Sequence, residues 1–182
     1  MKKSANLLWR LQHGELPPSL DPPVFWLLIG TNDFGNTWCS AEVTLIGILR
    51  VIEEIRLKKP GSILVVNSLL PRTFDKKNGY LVPPKQRFFV PTNKRRRPSL
   101  WLDIQVVNQQ LEQYCNNHQD DKVLFFNATE LFLLPEDDNK QKKGRSRQID
   151  KNLMGDYLHP SALGYKLWGD QIVKKLDELI HP

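Results

Sequence analysis

The chain has 182 residues, 40% of them hydrophobic and 25% charged, which suits one globular domain spanning residues 1–182. No apolar run approaches the ~20 residues of a membrane span, no signal peptide is evident, and two cysteines are too few for a disulfide framework; a cytoplasmic location is therefore favoured. The net charge of +6 resides in two segments, since residues 72–98 and 136–151 together carry +10 and the remainder carries −4.

The N-terminal third predicts a short helix followed by a buried strand. Residues 4–13 have leucines at helical spacing, and Ser4 is expected to be a solvated residue at the start of the chain. The proline-rich stretch 17–23 cannot be helical and leads into an apolar run, Val24–Ile29, that predicts a strand.

A long amphipathic helix and a second strand are expected next. Ser40 is a plausible N-cap for a helix over 41–58 that ends at Pro60-Gly61. Its core face is predicted to contain residues at helical spacing, namely Val43, Ile46, Leu49 (or Arg50) and Ile52 to Ile55. Ile63–Val66 is wholly apolar and β-branched, as in a parallel strand covered on both faces. The alternation of strand and helix predicts an α/β fold with right-handed crossovers.

The first basic segment, at about 73–98, interrupts this alternation and is interpreted as a solvated insertion. It contains four consecutive cations: Lys94, Arg95, Arg96 and Arg97. Such a cluster could bind an anionic partner or serve as a nuclear-import signal. Because no RNA-binding motif accompanies it, we do not expect a nucleic-acid partner.

The C-terminal half predicts two further helices and one strand. The clearest helix is Trp101–Cys115, the strand is Val123–Phe126, and the last helix covers about 162–180 with an apolar stripe expected to lie in the core. The second basic segment, at about 136–151, is polar enough to be disordered.

Two motifs carry candidate chemistry. In the stretch Gly155–Ser161, Asp156 precedes His159 by three residues, an arrangement in which a carboxylate can orient an imidazole that acts as a base. Such pairs also occur by chance at the solvated start of a helix. Far upstream, Gly30-Thr31-Asn32-Asp33 follows the first strand, where open α/β sheets place their ligands. The Asn32 amide could donate to an oxyanion there.

The G-T-N-D block, the D-Y-L-H-P block and the stretch Asn6–Leu16 appear in this order, and together they resemble the SGNH (GDSL-like) hydrolases. The resemblance is greatest to the branch with the platelet-activating-factor acetylhydrolase α-subunits. It implies a three-layer α/β/α sandwich with a parallel, flavodoxin-like sheet, incomplete at its N-terminal side. Val24–Ile29, Ile63–Val66 and Val123–Phe126 would be the third, fourth and fifth strands.

The resemblance also implies roles for the site residues. His159 and Asp156 would be catalytic, and Asn32 with Gly30 would form an oxyanion hole. Asp33 would brace the loop by hydrogen bonding. No cofactor or metal is called for.

The nucleophile is where this chain departs from the family pattern. The family places its serine in a G-D-S block after the first strand, and the chain contains neither G-D-S nor G-x-S-x-G. Cys39 lies away from any base motif and is expected to be a half-buried structural thiol. The sequence therefore predicts a fragment or a degenerate member of the family, with almost no esterase activity as it stands.

Two functions remain open from the sequence. The first is hydrolysis of a small-molecule or lipid ester, plausibly with a short acyl or acetyl group, by a Ser-His-Asp mechanism. The second is a non-catalytic binding protein that kept the acyl pocket and uses its basic loops to contact an anionic partner. Homo-oligomer formation, the acyl group and the alcohol stay open.

Overall fold

A computed structural model describes residues 3–82, 99–118, 122–135 and 147–181. The chain separates into two compact units: unit 1 comprises Met1–Leu69, Asp103–Ala128 and Leu176–Pro182, and unit 2 comprises Leu70–Leu102 and Thr129–Lys175. In chain order the elements are α1 (Ser4–Arg10), a π-helical turn (Leu11–Glu15), β1 (Val24–Leu27), α2 (Thr31–Thr37), α3 (Ala41–Lys58), β2 (Ile63–Asn67), α4 (Trp101–Asn117), β3 (Val123–Phe126), a 3₁₀ turn (Thr129–Phe132) and α5 (Ala162–Ile180).

The sheet of unit 1 has three parallel strands in the order β1-β2-β3. The central strand β2 is the most deeply buried, with Leu64 and Val65 fully covered. All three strands occur where the apolar runs predict them, although β1 ends two residues early, at Leu27. The parallel sheet and its helical connections confirm the predicted α/β fold.

Helix α3 has the predicted bounds, and the predicted cap is present because the Ser40 hydroxyl accepts a hydrogen bond from the Val43 N–H. The predicted core face is partly wrong, because Val43 and Ile46 are 56% and 59% exposed. The buried stripe is shifted round the helix, to Ala41, Thr44, Ile48, Val51, Ile52 and Ile55. Helical spacing identifies apolar stripes but does not fix which of two neighbouring stripes meets the core.

The expectation that Ser4 is solvated is wrong. Ser4 is only 4% exposed, and its hydroxyl donates to Asp33 Oδ1 at 2.6 Å. A Cβ on Gly47 of α3 would lie 2.3 Å from the Ser4 hydroxyl oxygen, so the absent side chain lets α1 approach α3 closely. The N-terminus of α1 is therefore part of the core of unit 1.

Apart from the 3₁₀ turn and its shares of α4 and α5, the described part of unit 2 consists of irregular segments, several of which are joined by antiparallel backbone pairing. Residues 147–150 pair on one side with residues 79–81 and on the other with residues 132–134. The hydrogen bonds join Ile149 N to the Gly79 carbonyl, Leu81 N to the Arg147 carbonyl, Leu134 N to the Gln148 carbonyl and Asp150 N to the Phe132 carbonyl.

This pairing corrects the predicted insertions. Leu81 is fully buried and Ile149 is 2% exposed, although both were assigned to solvated or disordered segments. Backbone pairing leaves no sequence periodicity when each partner is only three or four residues long. The basic cluster Lys94–Arg97, and residues 136–146 of the second segment, lie outside the described residues.

Helix α4 begins at the predicted residue and buries Trp101, Ile104, Val107 and Leu111. Helix α5 has the predicted bounds, but its stripe is half-buried and its Tyr165 is 56% exposed, so the stripe is less deeply buried than expected. None of the helices in the described ranges combines the length and apolarity needed to cross a membrane.

Candidate active site

Asp156 and His159 form a hydrogen-bonded pair within one turn of unit 2. Asp156 Oδ2 lies 2.7 Å from His159 Nδ1, while Oδ1 accepts the N–H groups of Leu158 at 2.9 Å and His159 at 2.7 Å. An ionised carboxylate can only accept hydrogen bonds, so Nδ1 carries the proton in this pair. That tautomer leaves Nε2 with its lone pair, as a base requires.

The same contacts determine the ionisation of the carboxyl group. The backbone N–H of His159, followed by the His159 ring, holds the pKa of Asp156 well below its usual range. The imidazole is 72% exposed and the carboxyl 53% exposed. A ring that is oriented from one side and open to solvent on the other can exchange a proton with a substrate.

The turn that carries this pair is fixed by its neighbours in unit 2. Tyr157 has a left-handed backbone (φ 58°), and its ring is 4% exposed. After the turn, the Ser161 hydroxyl accepts from Gly164 N–H at 3.1 Å at the start of α5. A Cβ on Gly164 would meet the Leu153 carbonyl oxygen at 2.2 Å, so the helix starts in close contact with residue 153.

Gly30 and Asn32 lie in unit 1, after β1. Gly30 has a positive φ of 120°, a conformation that favours glycine, and a Cβ there would lie 2.8 Å from the end of the Ile48 side chain. Asn32 is half-buried in the first turn of α2. The sequence does not predict this helix, because glycine, asparagine and threonine are poor helix formers.

Asp33 has a partner that sequence reasoning missed. Its carboxylate accepts both the N–H of Ser4, at 3.1 Å, and the Ser4 hydroxyl. The carboxylate is 6% exposed, so the contact joins the N-terminus of α1 to α2, next to Asn32. No local pattern signals it, because 29 residues separate the partners.

The described serines do not offer an activated nucleophile. Six of them hold structural hydrogen bonds through their hydroxyl groups: Ser4, Ser40, Ser62, Ser68, Ser99 and Ser161. Ser19 is exposed on the proline-rich stretch.

Neither thiol is hydrogen-bonded to a histidine or a carboxylate within the described residues. Burial raises the pKa of the Cys115 thiol to about 12, which keeps it neutral at physiological pH. Cys39 is half-buried, as expected, and its sulfur lies 3.3 Å from the Thr37 hydroxyl. Within the described residues no group of three or more His, Cys, Asp or Glu side chains is placed to hold a metal ion.

The first part of the comparison with known proteins concerns two relatives of similar sequence. It is 38% identical over 69 residues to the platelet-activating factor acetylhydrolase IB subunit alpha2 of Gallus gallus. It is also 39% identical over 67 residues to a Drosophila melanogaster homolog of the beta subunit. The first match covers 38% of this chain and the second 37%, and each spans 28% of the relative's length.

Solved structures of other proteins share this fold. A GDSL-like lipase from Bacteroides thetaiotaomicron superposes with a TM-score of 0.68 at 18% identity, covering 97% of this chain and 72% of the other. The model of the GDSL-like Lipase/Acylhydrolase family matches residues 2–167, which is most of the sequence. The chain therefore belongs to the GDSL-like lipase/acylhydrolase family.

Proposed function

We propose that this chain supplies the acid–base pair and the oxyanion donors of a carboxylic ester hydrolase that works by a Ser-His-Asp mechanism. The observation that carries the proposal is the 2.7 Å contact between His159 Nδ1 and Asp156 Oδ2. It is supported by the two backbone N–H groups that hold the other carboxylate oxygen in place. Family membership makes ester hydrolysis the reaction to test first.

In the proposed reaction His159 moves one proton twice. Nε2 takes the proton of the nucleophilic serine as its oxygen bonds to the acyl carbon, and then gives that proton to the departing alcohol as the ester bond breaks. Water repeats the sequence to release the carboxylic acid. Asp156 remains ionised throughout and stabilises the imidazolium, which its lowered pKa favours.

The negative charge of the tetrahedral intermediate is assigned to Asn32 and Gly30. The Asn32 amide would donate to the oxyanion, while the tight turn at Gly30 holds the start of α2 in place. Losing one such donor typically costs a factor of ~10²–10³ in kcat. The contact of Asp33 with Ser4 supports this assignment, because it ties down the helix that carries Asn32.

The proposed substrate is an ester with a short acyl group, with acetyl as the first candidate. This rests on the names of the matched relatives, which are subunits of an acetylhydrolase. The serine has to be provided in the test, because the sequence contains no G-D-S block.

The experiment measures hydrolysis of p-nitrophenyl acetate by the chain alone and by two fusions. Both fusions add an N-terminal extension with a strand, a G-D-S turn and a helix, and one of them replaces its serine by alanine. We expect the chain alone and the alanine fusion to be almost inactive. The serine fusion should gain activity that drops by ~10³-fold or more in His159→Ala.

A matched control comes from a second exposed histidine–carboxylate pair. His181 Nδ1 lies 3.1 Å from Asp177 Oδ1, and both side chains are about three-quarters exposed. His181→Ala should leave the activity of the serine fusion unchanged. A serine fusion that is as inactive as its alanine counterpart would overturn the proposal. Turnover by the chain alone, well above its own His159→Ala variant, would place the nucleophile within this chain.

A further inference from the structure

The Asp156–His159 turn rests on a segment that the sequence assigns to a solvated insertion. Tyr157 lies between Asp156 and His159 in the sequence, and its ring packs against the backbone of Gly79. It is 4% exposed, although both flanking side chains, of Asp156 and Leu158, are more open to solvent. The turn is therefore anchored by the buried ring of Tyr157.

Gly79 permits this contact in two ways. Its φ of +71° is a left-handed conformation that other residues rarely adopt. A Cβ at this position would lie 2.4 Å and 2.7 Å from two carbon atoms of the Tyr157 ring. Since the ring is enclosed, a side chain on residue 79 would have to displace either the ring or its own backbone.

Two more contacts join the same segment to the turn. Thr73 N–H donates to the Tyr157 carbonyl at 3.3 Å, and the Lys76 ammonium donates to the Asp156 carbonyl at 2.6 Å. Both acceptors are backbone atoms of the turn, so these bonds constrain its path without touching the imidazole.

The supporting segment is itself held firmly. The Thr73 hydroxyl donates to the Tyr80 carbonyl at 2.5 Å, and Ile149 N–H donates to the Gly79 carbonyl at 3.0 Å. Asp75 closes the intervening turn by accepting the N–H groups of Lys77 and Asn78. Residues 73–81 are thus braced by hydrogen bonds, with Thr73 and residues 79–81 buried and the tip of the segment exposed.

We propose that Gly79 and Lys76 are positioning residues for the Asp156–His159 pair, acting through the Tyr157 ring and the Asp156 carbonyl respectively. The catalytic meaning of this assignment rests on the function proposed above. The geometric part of the proposal does not depend on that function, because it concerns only whether Asp156 keeps its hydrogen bond to His159 Nδ1. A change at either residue should loosen that hydrogen bond without altering any group of the pair.

The test is NMR of the ¹⁵N-labelled chain, with two readouts at His159. The first is the chemical shifts of the ring nitrogens, which report whether Nδ1 carries the proton. The second is hydrogen exchange of the His159 amide, whose N–H donates to Asp156 Oδ1. Gly79→Ala should shift the Nδ1 and Nε2 signals toward the tautomer mixture of a free imidazole and speed the amide exchange at least tenfold. Amide signals of β2 in unit 1 should stay in place, which shows that the chain is folded.

Gly155→Ala is the matched control. Gly155 directly precedes Asp156, yet a Cβ there would have its nearest neighbour at 3.9 Å, an ordinary contact. The His159 signals of this variant should match those of the unchanged chain. Tyr157→Phe keeps the ring and should also match, whereas Tyr157→Ala removes the ring without adding an atom at residue 79 and should reproduce Gly79→Ala.

Lys76→Met should give a smaller change of the same kind, and Lys77→Met, on the neighbouring exposed residue, should give none. Unchanged His159 signals in both Gly79→Ala and Tyr157→Ala would overturn the positioning role, whatever the enzyme assays give. Conversely, an inactive serine fusion together with shifted His159 signals would overturn the proposed hydrolase and leave the positioning role standing.

Discussion

The two units of this protein are stabilised in different ways. Unit 1 has a regular parallel sheet whose central strand β2 is apolar and deeply buried. Unit 2 holds its candidate catalytic turn with short segments, such as residues 79–81 and 147–150, that pair through their backbones. The comparison shows that a buried core can form without a periodic apolar pattern, provided that neighbouring segments satisfy each other's backbone groups.

The largest expected effects come from one buried leucine in each unit. Leu64 in β2 and Leu81 in unit 2 are both fully buried, so replacement of either by alanine should lower the free energy of unfolding by ~2–5 kcal/mol. Leu57, which is 79% exposed on α3, is the control and should change it by at most ~0.5 kcal/mol when replaced by alanine. Urea denaturation measures all three.

Leu81 also has a local readout, because its neighbourhood can open without global unfolding. In Leu81→Ala, hydrogen exchange at the Ile149 amide, which donates to the Gly79 carbonyl, should become faster. Leu81→Ala could instead behave like Leu57→Ala in both urea denaturation and hydrogen exchange. Unit 2 would then lack the buried core described above, and only unit 1 would be ordered.

A medium effect is expected at the buried contact between Ser4 and Asp33 in unit 1. Ser4→Ala removes the hydroxyl donor at 2.6 Å and leaves a carboxylate that is 6% exposed with fewer partners. We expect a loss of ~1–3 kcal/mol in stability. Ser19→Ala, in the exposed proline-rich stretch, is the matched control. Equal melting temperatures for the two variants would show that the Ser4 hydroxyl contributes nothing to the stability of unit 1.

The smallest effect concerns the charge of Asp156 in unit 2. Folding lowers the pKa of this carboxyl group from its ordinary value of 3.8. The ionised carboxylate therefore contributes fully to stability above pH 3.8, and this contribution is lost as the pH falls from 3.8 through the lowered pKa. The side chain is 53% exposed, so solvent screening keeps the contribution small.

Titration of the Asp156 carboxyl carbon by NMR tests this directly. In the folded chain the carboxyl should stay ionised well below the pH at which it protonates in a free peptide of residues 155–161. If the two titration curves coincided, the hydrogen bonds from His159 would not stabilise the ionised carboxylate of the folded protein.

Periodic apolar patterns and local capping signals predicted the structure correctly. The apolar run of β2 and the Ser40 cap of α3 both predicted what the structure shows. The predictions for Val43, Ile46 and Ser4 are wrong, because the side of a helix that is buried depends on what packs against it. The predictions for Leu81 and Ile149 are also wrong, because their short pairings join segments far apart in sequence.

The candidate site divides in the same way. The sequence identified Asp156, His159, Gly30 and Asn32, and the structure forms the Asp156–His159 hydrogen bond at 2.7 Å. The catalytic and oxyanion roles of these residues stay predictions. The supports of the turn, Gly79 and Lys76, carry no motif and could not be found by pattern.

The sequence by itself determined the three strands, the helices other than α2, the family motifs and the pairing of Asp156 with His159. These features depend on residues close together in the chain or on a regular period. Only the tertiary structure decided that Ser4 is buried against Asp33, and that residues 73–81 support the His159 turn. Those contacts depend on where distant backbone segments meet, and a glycine that admits a ring, such as Gly79, looks in sequence like any other turn glycine.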